Sequence, residues 1–471
     1  MGRRKKKEAI IDIVAFSGKG NGLGYYINVR NEECPVEVRG AVPGDVVKVV
    51  LARRVKRRYI SSVEEFITMS PEREPLRCKH AGVCGGCSMQ HVPYHRQTNH
   101  KESAVRELFS GYSDTAVFHD IIPCEDPWYY RNRMDFSFSQ DAAGEKFAGL
   151  MMPMAKARVV DIEECYITSR WCVEALDAVR QWWKNSDLEA YYHPKDKGTL
   201  REVMFREGKN TGDRMAVLTV SGNPDYALVH DDIAAFVEAI RASCEDENHK
   251  VSIFIRIQQL VAGKPTEFYE MHLYGPEYVR EILDVGDRGA ITVNISPAAF
   301  FQPNTIQTEK LYALALEHAD ITEEDVVYDL YCGTGTIGLC VSKAAKKVVG
   351  IELSPEAVLD ARENIKDNNI ENMEVIQGDV GTALADVDDN VDVVIVDPPR
   401  SGLDEDAIAN ILRLRPKKIV YISCNPKTQA KNVADIVAEG YSLTSIQPID
   451  QFPHTPHIEN IVIADRKNID H

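Results

Sequence analysis

The chain has 471 residues, of which 44% are hydrophobic and 27% charged, a balance typical of a globular protein with several domains. Its net charge of −17 argues against a nucleic-acid partner, but residues 1–62 hold 14 basic and 6 acidic side chains. This balance is the pattern of an RNA-binding module on an acidic body, and a solvated basic tail has the same composition. No apolar stretch approaches the roughly 20 residues of a membrane span, and no secretory signal follows the basic start, so we expect no membrane partner. Eleven cysteines at low density favour the reducing cytoplasm and metal-binding or catalytic roles.

Residues 1–68 are predicted to form a small β-barrel. Short runs of alternating apolar and polar residues are separated by turn signals such as Gly18-Lys19-Gly20. Their order and composition resemble a TRAM domain, a barrel of the oligonucleotide-binding type, and this resemblance implies RNA contact. The basic run Arg53–Tyr59 is suited to follow a phosphate backbone, although a solvated edge that prevents strand addition has the same composition.

Residues 69–290 mix strands and helices and predict an α+β central domain with an antiparallel sheet. Segment 93–118 is predicted to be helical and to leave this domain to pack on the next one. The domain opens with the pattern Cys78-x5-Cys84-x2-Cys87, set among flexible glycines. Three thiols at this spacing indicate a metal site that needs a fourth ligand, either tetrahedral zinc or a 4Fe–4S cluster. His80 and His91 nearby keep zinc open.

From residue 291 apolar strands alternate with helices, which predicts an α/β, Rossmann-like domain over residues 291–471 with a mostly parallel sheet. Ligands of such sheets bind at the carboxyl ends of the strands. The predicted strands are 326–331, 347–352, 373–379, 392–399, 417–424, 442–447 and 460–465.

The segment Asp329–Gly338 follows the first of these strands and contains the pattern G-x-G-x-x-G. Its glycines let the backbone approach a dinucleotide or S-adenosylmethionine. Glu352 ends the next strand, where a carboxylate can accept both hydroxyls of a ribose. The carboxylate of Asp329 favours the cationic methyl donor over a pyrophosphate.

Two further strand ends carry aspartates that support the same donor. Asp379 ends the third strand, where an adenine edge would lie, and Asp397 precedes two rigid prolines at the end of the fourth. The alternatives are a helix cap for Asp379 and a turn-forming role for Asp397.

Cys424 ends a buried strand in the sequence KKIVYISCNP and is therefore presented at the ligand edge, although most lone cysteines are small core residues. A proline-bounded loop before the last strand holds His454, His457 and Glu459. These three side chains are spaced like metal ligands, but no further ligand cluster lies near them. The preferred interpretation makes Glu459 a proton acceptor, with the two histidines and Phe452 shaping the pocket.

The motifs DLYCGTG, DPPR, SCNP and FPHTPHIEN, with FFQPN at 300–304, resemble in order and spacing the bacterial RNA (uracil-5-)-methyltransferase family. The likeness is to members with a TRAM domain and a 4Fe–4S cluster, of the type that modifies 23S rRNA. It implies Cys424 as nucleophile and Glu459 as base. It implies donor contacts from Gln302, Tyr331, Thr336, Glu352, Asp379 and Asp397. The family often has phenylalanine where Tyr331 stands, a departure that preserves an aromatic wall.

The resemblance also favours a 4Fe–4S cluster, structural or RNA-recognising, over zinc. Its ligands would be Cys78, Cys84, Cys87 and Cys165, with Cys124 or Cys172 as other candidates for the fourth. A five-residue gap between the first two cysteines argues against radical chemistry, which uses a three-residue gap.

The implied reaction needs a thiol, a base and a donor site on one rim, because carbon 5 of uracil becomes nucleophilic only after a thiolate adds to carbon 6. We expect RNA as the substrate, with 23S rRNA favoured over tRNA, and no protein partner is evident. Two rival hypotheses are an RNA cytosine-5-methyltransferase, which also uses a cysteine, and a non-catalytic RNA-binding iron–sulfur protein.

Overall fold

The computed structural model describes residues 7–467 apart from 52, 154, 156–157, 262, 287–288, 386 and 388–389. The basic residues 3–6, which belong to the predicted RNA-binding domain, lie outside the described residues. The chain forms two compact units. The first unit comprises the residues up to Glu107 together with Phe452–His457, and the second comprises Leu108–Gln451 and the residues from Ile458 onward. In the part of the chain described, no helix is both long and apolar enough to span a bilayer.

Six strands of the first unit form a closed barrel, as the sequence predicts. They are β1 (Glu8–Phe16), β2 (Gly22–Ile27), β3 (Glu33–Arg39), β4 (Val46–Val50), β5 (Arg53–Val55) and β6 (Arg58–Thr68). The strand order is β3-β2-β1-β4-β6-β5, and a parallel pairing of β3 with β6 closes the barrel. Alternate residues face inward, so that Ile11, Val36, Val38 and Val47 form a buried apolar core.

The segment between the barrel and the central sheet starts with a loop of turns that contains three of the predicted metal ligands. We call residues 78–91 the cysteine loop. Helix α1 (Tyr94–Leu108), a 3-10 turn (Ser110–Tyr112) and strand β7 (Val117–Phe118) follow it. The predicted helix over 93–118 is therefore present only in its first part, because the chain ends this segment as a two-residue strand.

The second unit contains a seven-stranded central sheet. Its elements are β8 (Arg133–Gln140), β9 (Lys146–Met151), β10 (Val159–Asp161), α2 (Arg170–Lys184), β11 (Leu200–Glu207), β12 (Arg214–Ser221), α3 (His230–Cys244), β13 (Val251–Gln259) and β14 (Glu267–Tyr274), with 3-10 turns at His193–Lys195 and Pro224–Tyr226. The strand order is β10-β9-β8-β11-β12-β13-β14. Neighbouring strands are antiparallel except β12 and β13, which are parallel because α3 connects them.

A hairpin of β15 (Val279–Asp284) and β16 (Ala290–Ile295) leads into the α/β domain. The elements that follow are α4 (Thr305–Ala319), β17 (Val326–Leu330), α5 (Thr336–Ser342), β18 (Lys347–Glu352), α6 (Pro355–Asp367), β19 (Met373–Gln377), α7 (Val380–Ala385), β20 (Val393–Val396), α8 (Glu405–Leu414), β21 (Lys418–Ser423), α9 (Pro426–Ala438), β22 (Tyr441–Ile449) and β23 (Glu459–Arg466). All the predicted strands of this domain are present.

The eight strands of this domain are ordered β19-β18-β17-β20-β21-β23-β22-β7. Strands β17 to β21 are parallel, β23 runs antiparallel to its two neighbours, and β7 joins the edge parallel to β22. Strand β20 is buried along its whole length and β17 after its first residue, as expected for a sheet covered on both faces. Capping side chains fix the helix starts: Ser354 accepts the N–H of Ala357 at the start of α6, with Pro355 in the first helical position.

Candidate active site

The functional residues predicted in the α/β domain lie at one edge of the sheet, where its parallel strands end. The register aligns β17, β18 and β20 so that Tyr331, Glu352 and Asp397 leave the sheet next to one another. On the other side of β20, strand β21 ends at Ser423 and Cys424 follows. Since ligands of α/β sheets bind at this edge, we take it as the candidate active site.

The segment after β17 allows its backbone to approach a ligand. Tyr331 has a φ of 62°, in the left-handed region that side chains rarely adopt, and Gly335 has a φ of 79° at the cap of α5. Gly338 has no room for a side chain, because a Cβ there would lie 2.4 Å from Cε of Met373 and 3.1 Å from Oδ2 of Asp329. Backbone geometry therefore requires glycine at two positions of the predicted motif.

Asp329 is fully buried beneath this segment. Its Oδ2 accepts the N–H of Gly338 at 2.8 Å, whereas its Oδ1 has no hydrogen-bond partner within the described residues. Burial raises the pKa of Asp329 to about 7, and the carboxylates of Asp397 and Glu352 act in the same direction. Buried carboxylates with this repulsion favour a bound cation, which a sulfonium would supply.

Backbone hydrogen bonds position Glu352 and Asp379, two of the carboxylates that are expected to contact the methyl donor. Oε2 of Glu352 accepts the N–H of Gly333 at 3.0 Å, and Oε1 accepts the N–H of Ser354 at 2.8 Å. The exposed Asp379 caps α7, since its Oδ1 accepts the N–H of Thr382 at 3.1 Å. The alternative role of Asp379 as a helix cap is thus present, and it holds this carboxylate at the end of β19.

Gln302 reaches the edge from the segment before α4. Its Nε2 donates to Oδ2 of Asp397 at 3.1 Å, and its backbone carbonyl accepts from Nδ2 of Asn132 at 2.8 Å. Thr336 starts α5 as a buried residue, with its hydroxyl 3.0 Å from that of Thr334. The six side chains expected to contact the methyl donor therefore lie at the same edge of the sheet. Their contact with the donor stays a prediction.

Cys424 and Glu459 face each other across neighbouring strands. Ser423 pairs with Asn460 in antiparallel register, so the next pair along the strands is Cys424 and Glu459. Opposite residues of such a pair point to the same face, with Cβ atoms roughly 4.5–5.5 Å apart. Glu459 is 1% exposed, whereas Cys424 is half-buried and accessible from the ligand edge. A thiol and a carboxyl group are thus adjacent beside the predicted donor residues.

Burial disfavours the charged forms of both groups. It raises the pKa of Cys424 to about 12, and the neighbouring Glu459 also raises it. It raises the pKa of Glu459 well above the usual value, with a further contribution from Asp397. The guanidinium of Arg400 opposes both shifts. Burial therefore opposes the thiol activation that the chemistry requires, whereas Arg400 supplies positive charge in its favour.

Arg400 is a functional candidate to which the sequence analysis assigned no role. Its carbonyl accepts from Nδ2 of Asn425 at 2.8 Å, the residue directly after Cys424. Farther along the same loop, Asn432 of α9 accepts the N–H of Leu403 at 3.0 Å and donates to its carbonyl at 3.1 Å. The loop with Arg400 is thus fastened to the segment with the thiol. Its position directly after Asp-Pro-Pro at a predicted strand end is the sequence feature from which a role for this arginine could have been inferred.

The loop 452–457, which ends two positions before Glu459, belongs to the first unit. Oε1 of the fully buried Gln97, in α1, accepts the N–H of His454 at 2.8 Å, and its Nε2 lies 3.2 Å from Nδ1 of that histidine. Lys101 of α1 donates to the first carbonyl of the loop at 3.0 Å. Helix α1 therefore holds the chain immediately before the predicted base.

The same loop contacts the cysteine loop. The carbonyl of His454 accepts the N–H groups of Ser88 and Met89, both at 3.0 Å. His454 has a φ of 62°, a left-handed conformation that these hydrogen bonds hold in place. Sequence reasoning assigned His454 to the pocket and missed Gln97, because no local pattern links residues so distant in the chain.

The predicted metal ligands are divided between the two units. Cys78 and Cys84 are buried and Cys87 is half-buried in the first unit, whereas Cys165 is half-buried in the second, after β10. The N–H of Gly86 donates to Sγ of Cys84 at 3.3 Å, and burial raises the pKa of that thiol. Among the described residues, no group of three or more His, Cys, Asp or Glu side chains is arranged to hold a metal ion. The metal site therefore stays a prediction.

The chain is similar to known RNA methyltransferases. A sequence model described as tRNA (uracil-5-)-methyltransferase matches residues 271–467. An RNA methyltransferase from Protochlamydia amoebophila is 47% identical over 91% of this chain and 99% of that protein, and one from Clostridium acetobutylicum is 33% identical over 98% of each. The structure of Pyrococcus abyssi tRNA (uracil-54, C5)-methyltransferase in complex with S-adenosyl-L-homocysteine matches with a TM-score of 0.72 and 25% identity, covering 97% of this chain and 100% of that one.

Proposed function

Because the chain belongs to the RNA (uracil-5-)-methyltransferase family, whose members use S-adenosylmethionine, we propose that it methylates carbon 5 of a uridine through a covalent adduct of Cys424. The observation that supports this reaction is the antiparallel register that sets Cys424 opposite Glu459. The carboxylates of Asp329, Glu352 and Asp397 lie at the same edge of the sheet, with Asp397 nearest to this pair, and they suit a cationic donor.

In the proposed reaction, the thiolate of Cys424 adds to carbon 6 of the uracil, and the electron pair of the 5,6 double bond moves onto carbon 5 and oxygen 4 as an enolate. Carbon 5 then attacks the sulfonium methyl group, and the sulfur–methyl bond breaks to leave a neutral thioether. Glu459 as a carboxylate takes the proton from carbon 5. The electron pair of that C–H bond restores the double bond as the bond from carbon 6 to sulfur breaks, which regenerates the thiolate.

Charge balance explains how two groups whose charged forms are disfavoured by burial become reactive in this proposal. Burial raises the pKa of Asp329 and of Asp397 to about 7 in the protein alone. A bound sulfonium offsets these negative charges and so lowers the pKa of the neighbouring groups. Together with Arg400, it makes the thiolate of Cys424 and the carboxylate of Glu459 more accessible at neutral pH.

Adduct trapping tests this mechanism. An RNA carrying 5-fluorouridine at the target position should form a stable covalent adduct with the wild-type protein, since the fluorine cannot be removed as a proton. Cys424→Ala should form none, and Glu459→Gln should accumulate a methylated adduct on ordinary RNA. Cys244→Ala, at the buried end of α3, is the matched control and should behave as wild type. Adduct on another peptide, or none from the wild type, would refute the mechanism.

We propose 23S rRNA as the substrate over tRNA, on the combination of a TRAM-like barrel with a cysteine loop. The Pyrococcus abyssi structure concerns a tRNA enzyme, so tRNA is the second candidate. Methylated nucleosides should be mapped in rRNA and tRNA from cells with and without the gene. Loss of 5-methyluridine from 23S rRNA alone is expected; its loss from tRNA selects the second candidate, and loss of 5-methylcytidine would overturn the uracil assignment.

We also propose that the cysteine loop holds a 4Fe–4S cluster through Cys78, Cys84 and Cys87, together with a fourth ligand. The burial of the first two thiols and the N–H directed at Cys84 suit sulfur ligation. Anaerobically purified protein should contain iron and sulfide in equal amounts, and Cys87→Ser should lose both. Stoichiometric zinc without sulfide would support the alternative, and a protein with neither metal would refute both.

A further inference from the structure

The first unit contains a cavity of about 250 Å³ between the barrel and the segment that follows it. Strands β3 and β6 contribute Arg39 and Phe66, and the later segment contributes Arg73, Leu76, Gln90 and His91. Leu76 is exposed at 51%, so the cavity is reached from outside. Its size is comparable to that of one nucleotide rather than of a base pair.

His91 gives this cavity an unsatisfied polar group. The side chain is 7% exposed and lines the cavity, and within the described residues its Nε2 has no hydrogen-bond partner. The backbone carbonyl of His91 accepts the N–H of Glu74, which fixes the residue in place. Buried polar atoms are nearly always hydrogen-bonded, so a ligand in the cavity is the natural partner for this nitrogen.

The charges around the cavity favour an anion. Arg39 is half-buried and makes no ion pair or side-chain hydrogen bond to any described residue. Arg73 donates to Asp45 at 2.6 Å, and its guanidinium covers one face of Phe66 at 4.7 Å. No aspartate or glutamate lies on the wall described for the cavity. Its free cationic group is therefore Arg39, placed beside the apolar surfaces of Phe66 and Leu76.

A phosphate group next to a planar, partly apolar base matches this combination. Proteins that read single-stranded RNA pair a cation with the phosphate, pack the base on aromatic or aliphatic side chains, and hydrogen-bond its edge. Arg39 suits the phosphate, Phe66 and Leu76 suit the base, and Nε2 of His91 suits an edge atom. Of the three cysteines in the cysteine loop only Cys87 lies on the wall, so the cavity is distinct from a site enclosed by all three.

We propose that this cavity binds one unpaired nucleotide of the RNA, with Arg39 on its phosphate and His91 on the edge of its base. The inference rests on the proposed function in that RNA is the substrate. It assigns to the first unit a specific nucleotide contact that is separate from the base to be methylated.

The test compares two variants of the full-length protein that lose the same charge. Arg39→Gln should weaken binding of the substrate RNA roughly tenfold at 0.1 M salt and reduce the dependence of affinity on salt by about one counterion. Arg30→Gln, in the exposed turn between β2 and β3, is the matched control and should change affinity by less than about threefold, as a distant surface charge does. Fluorescence anisotropy across a salt series measures both.

A second measurement identifies the nucleotide. RNAs in which single bases are removed in turn should show one position, other than the target uridine, where removal weakens binding to wild type but not to His91→Gln. Equal effects of Arg39→Gln and Arg30→Gln would overturn the proposal. Loss of iron from Arg39→Gln with unchanged RNA affinity would instead assign the cavity to the metal site. Failure of the proposed function is distinguishable, because it appears as absent methylation by the wild type, whereas RNA affinity is measured independently of turnover.

Discussion

Replacing Gln97 by methionine is expected to slow proton removal from carbon 5 without preventing adduct formation. The Gln97 amide supplies two hydrogens and one acceptor to a buried site. The hydrogens are shared among the carbonyl of Met89 at 3.1 Å, that of Val92 at 2.8 Å and the ring of His454 at 3.2 Å, and the oxygen accepts from His454 at 2.8 Å. Two of these hydrogen bonds join Gln97 to loop 452–457, and at about 1 kcal/mol each they sum to about 2 kcal/mol, or roughly 30-fold in the population of the docked loop.

The readout is the step that depends on Glu459, which follows this loop in the chain. Gln97→Met should lower kcat by tenfold or more, accumulate methylated adduct as Glu459→Gln does, and increase hydrogen exchange in peptides spanning 452–457. Thr98→Val is the control: it is equally buried in α1, but its hydroxyl bonds to the carbonyl of His95 in its own helix at 2.9 Å. Unchanged exchange and unchanged kcat in Gln97→Met would refute the reasoning.

Three further predictions concern the sheet edge. Gly338→Ala should weaken binding of S-adenosylhomocysteine at least tenfold by calorimetry, because its Cβ displaces Met373 or Asp329; wild-type affinity would contradict this. Folding raises the pKa of Asp329 from 3.8 to about 7. The contribution of this group to the free energy of unfolding is therefore fully present below about pH 4 and is lost as the pH rises to 7. The donor-free wild type should therefore lose more thermal stability between pH 5 and pH 8 than Asp329→Asn, and equal losses would count against it. Arg400→Met removes a charge that lowers the pKa of Cys424, so the rate of adduct formation should reach half its maximum at higher pH than in Arg400→Lys, and coincident pH profiles would exclude this role.

The strands of the α/β domain were predictable because they are buried on both faces and read as continuous apolar runs. The run 347–352 coincides with β18, whereas the run 392–399 shortens to Val393–Val396. The two prolines after Asp397 cannot donate to a strand ladder, so pairing stops before them. Cys424 was placed correctly at a strand end because the same apolar pattern ends directly before it.

Long-range partners were beyond sequence reasoning. Strand β7 has two residues and no periodicity, and it is a strand only because β22 pairs with it. Asp120, just after it, bonds to Gln447 at a separation of 327 positions. The electrostatic state of the site was equally hidden. The chemistry demanded an activated thiol, but the pKa of Cys424 depends on burial and on Glu459 and Arg400, which only the folded chain brings near.

The membership of loop 452–457 in the first unit has a consequence for biosynthesis. Gln97 and His454 are 357 positions apart, so the barrel and α1 are translated long before the segment that completes their packing. Through most of its synthesis, a nascent chain therefore has an incompletely packed amino-terminal unit. During that time Gln97 and Lys101 lack the hydrogen bonds that they make to loop 452–457 in the folded protein. Native packing of residues 1–107, which are synthesised first, thus depends on residues 452–457, which are synthesised near the end. Truncation of the chain before residue 452 removes Glu459 and is also expected to destabilise the first unit, so a barrel isolated from the rest would be less stable than the same barrel in the whole protein.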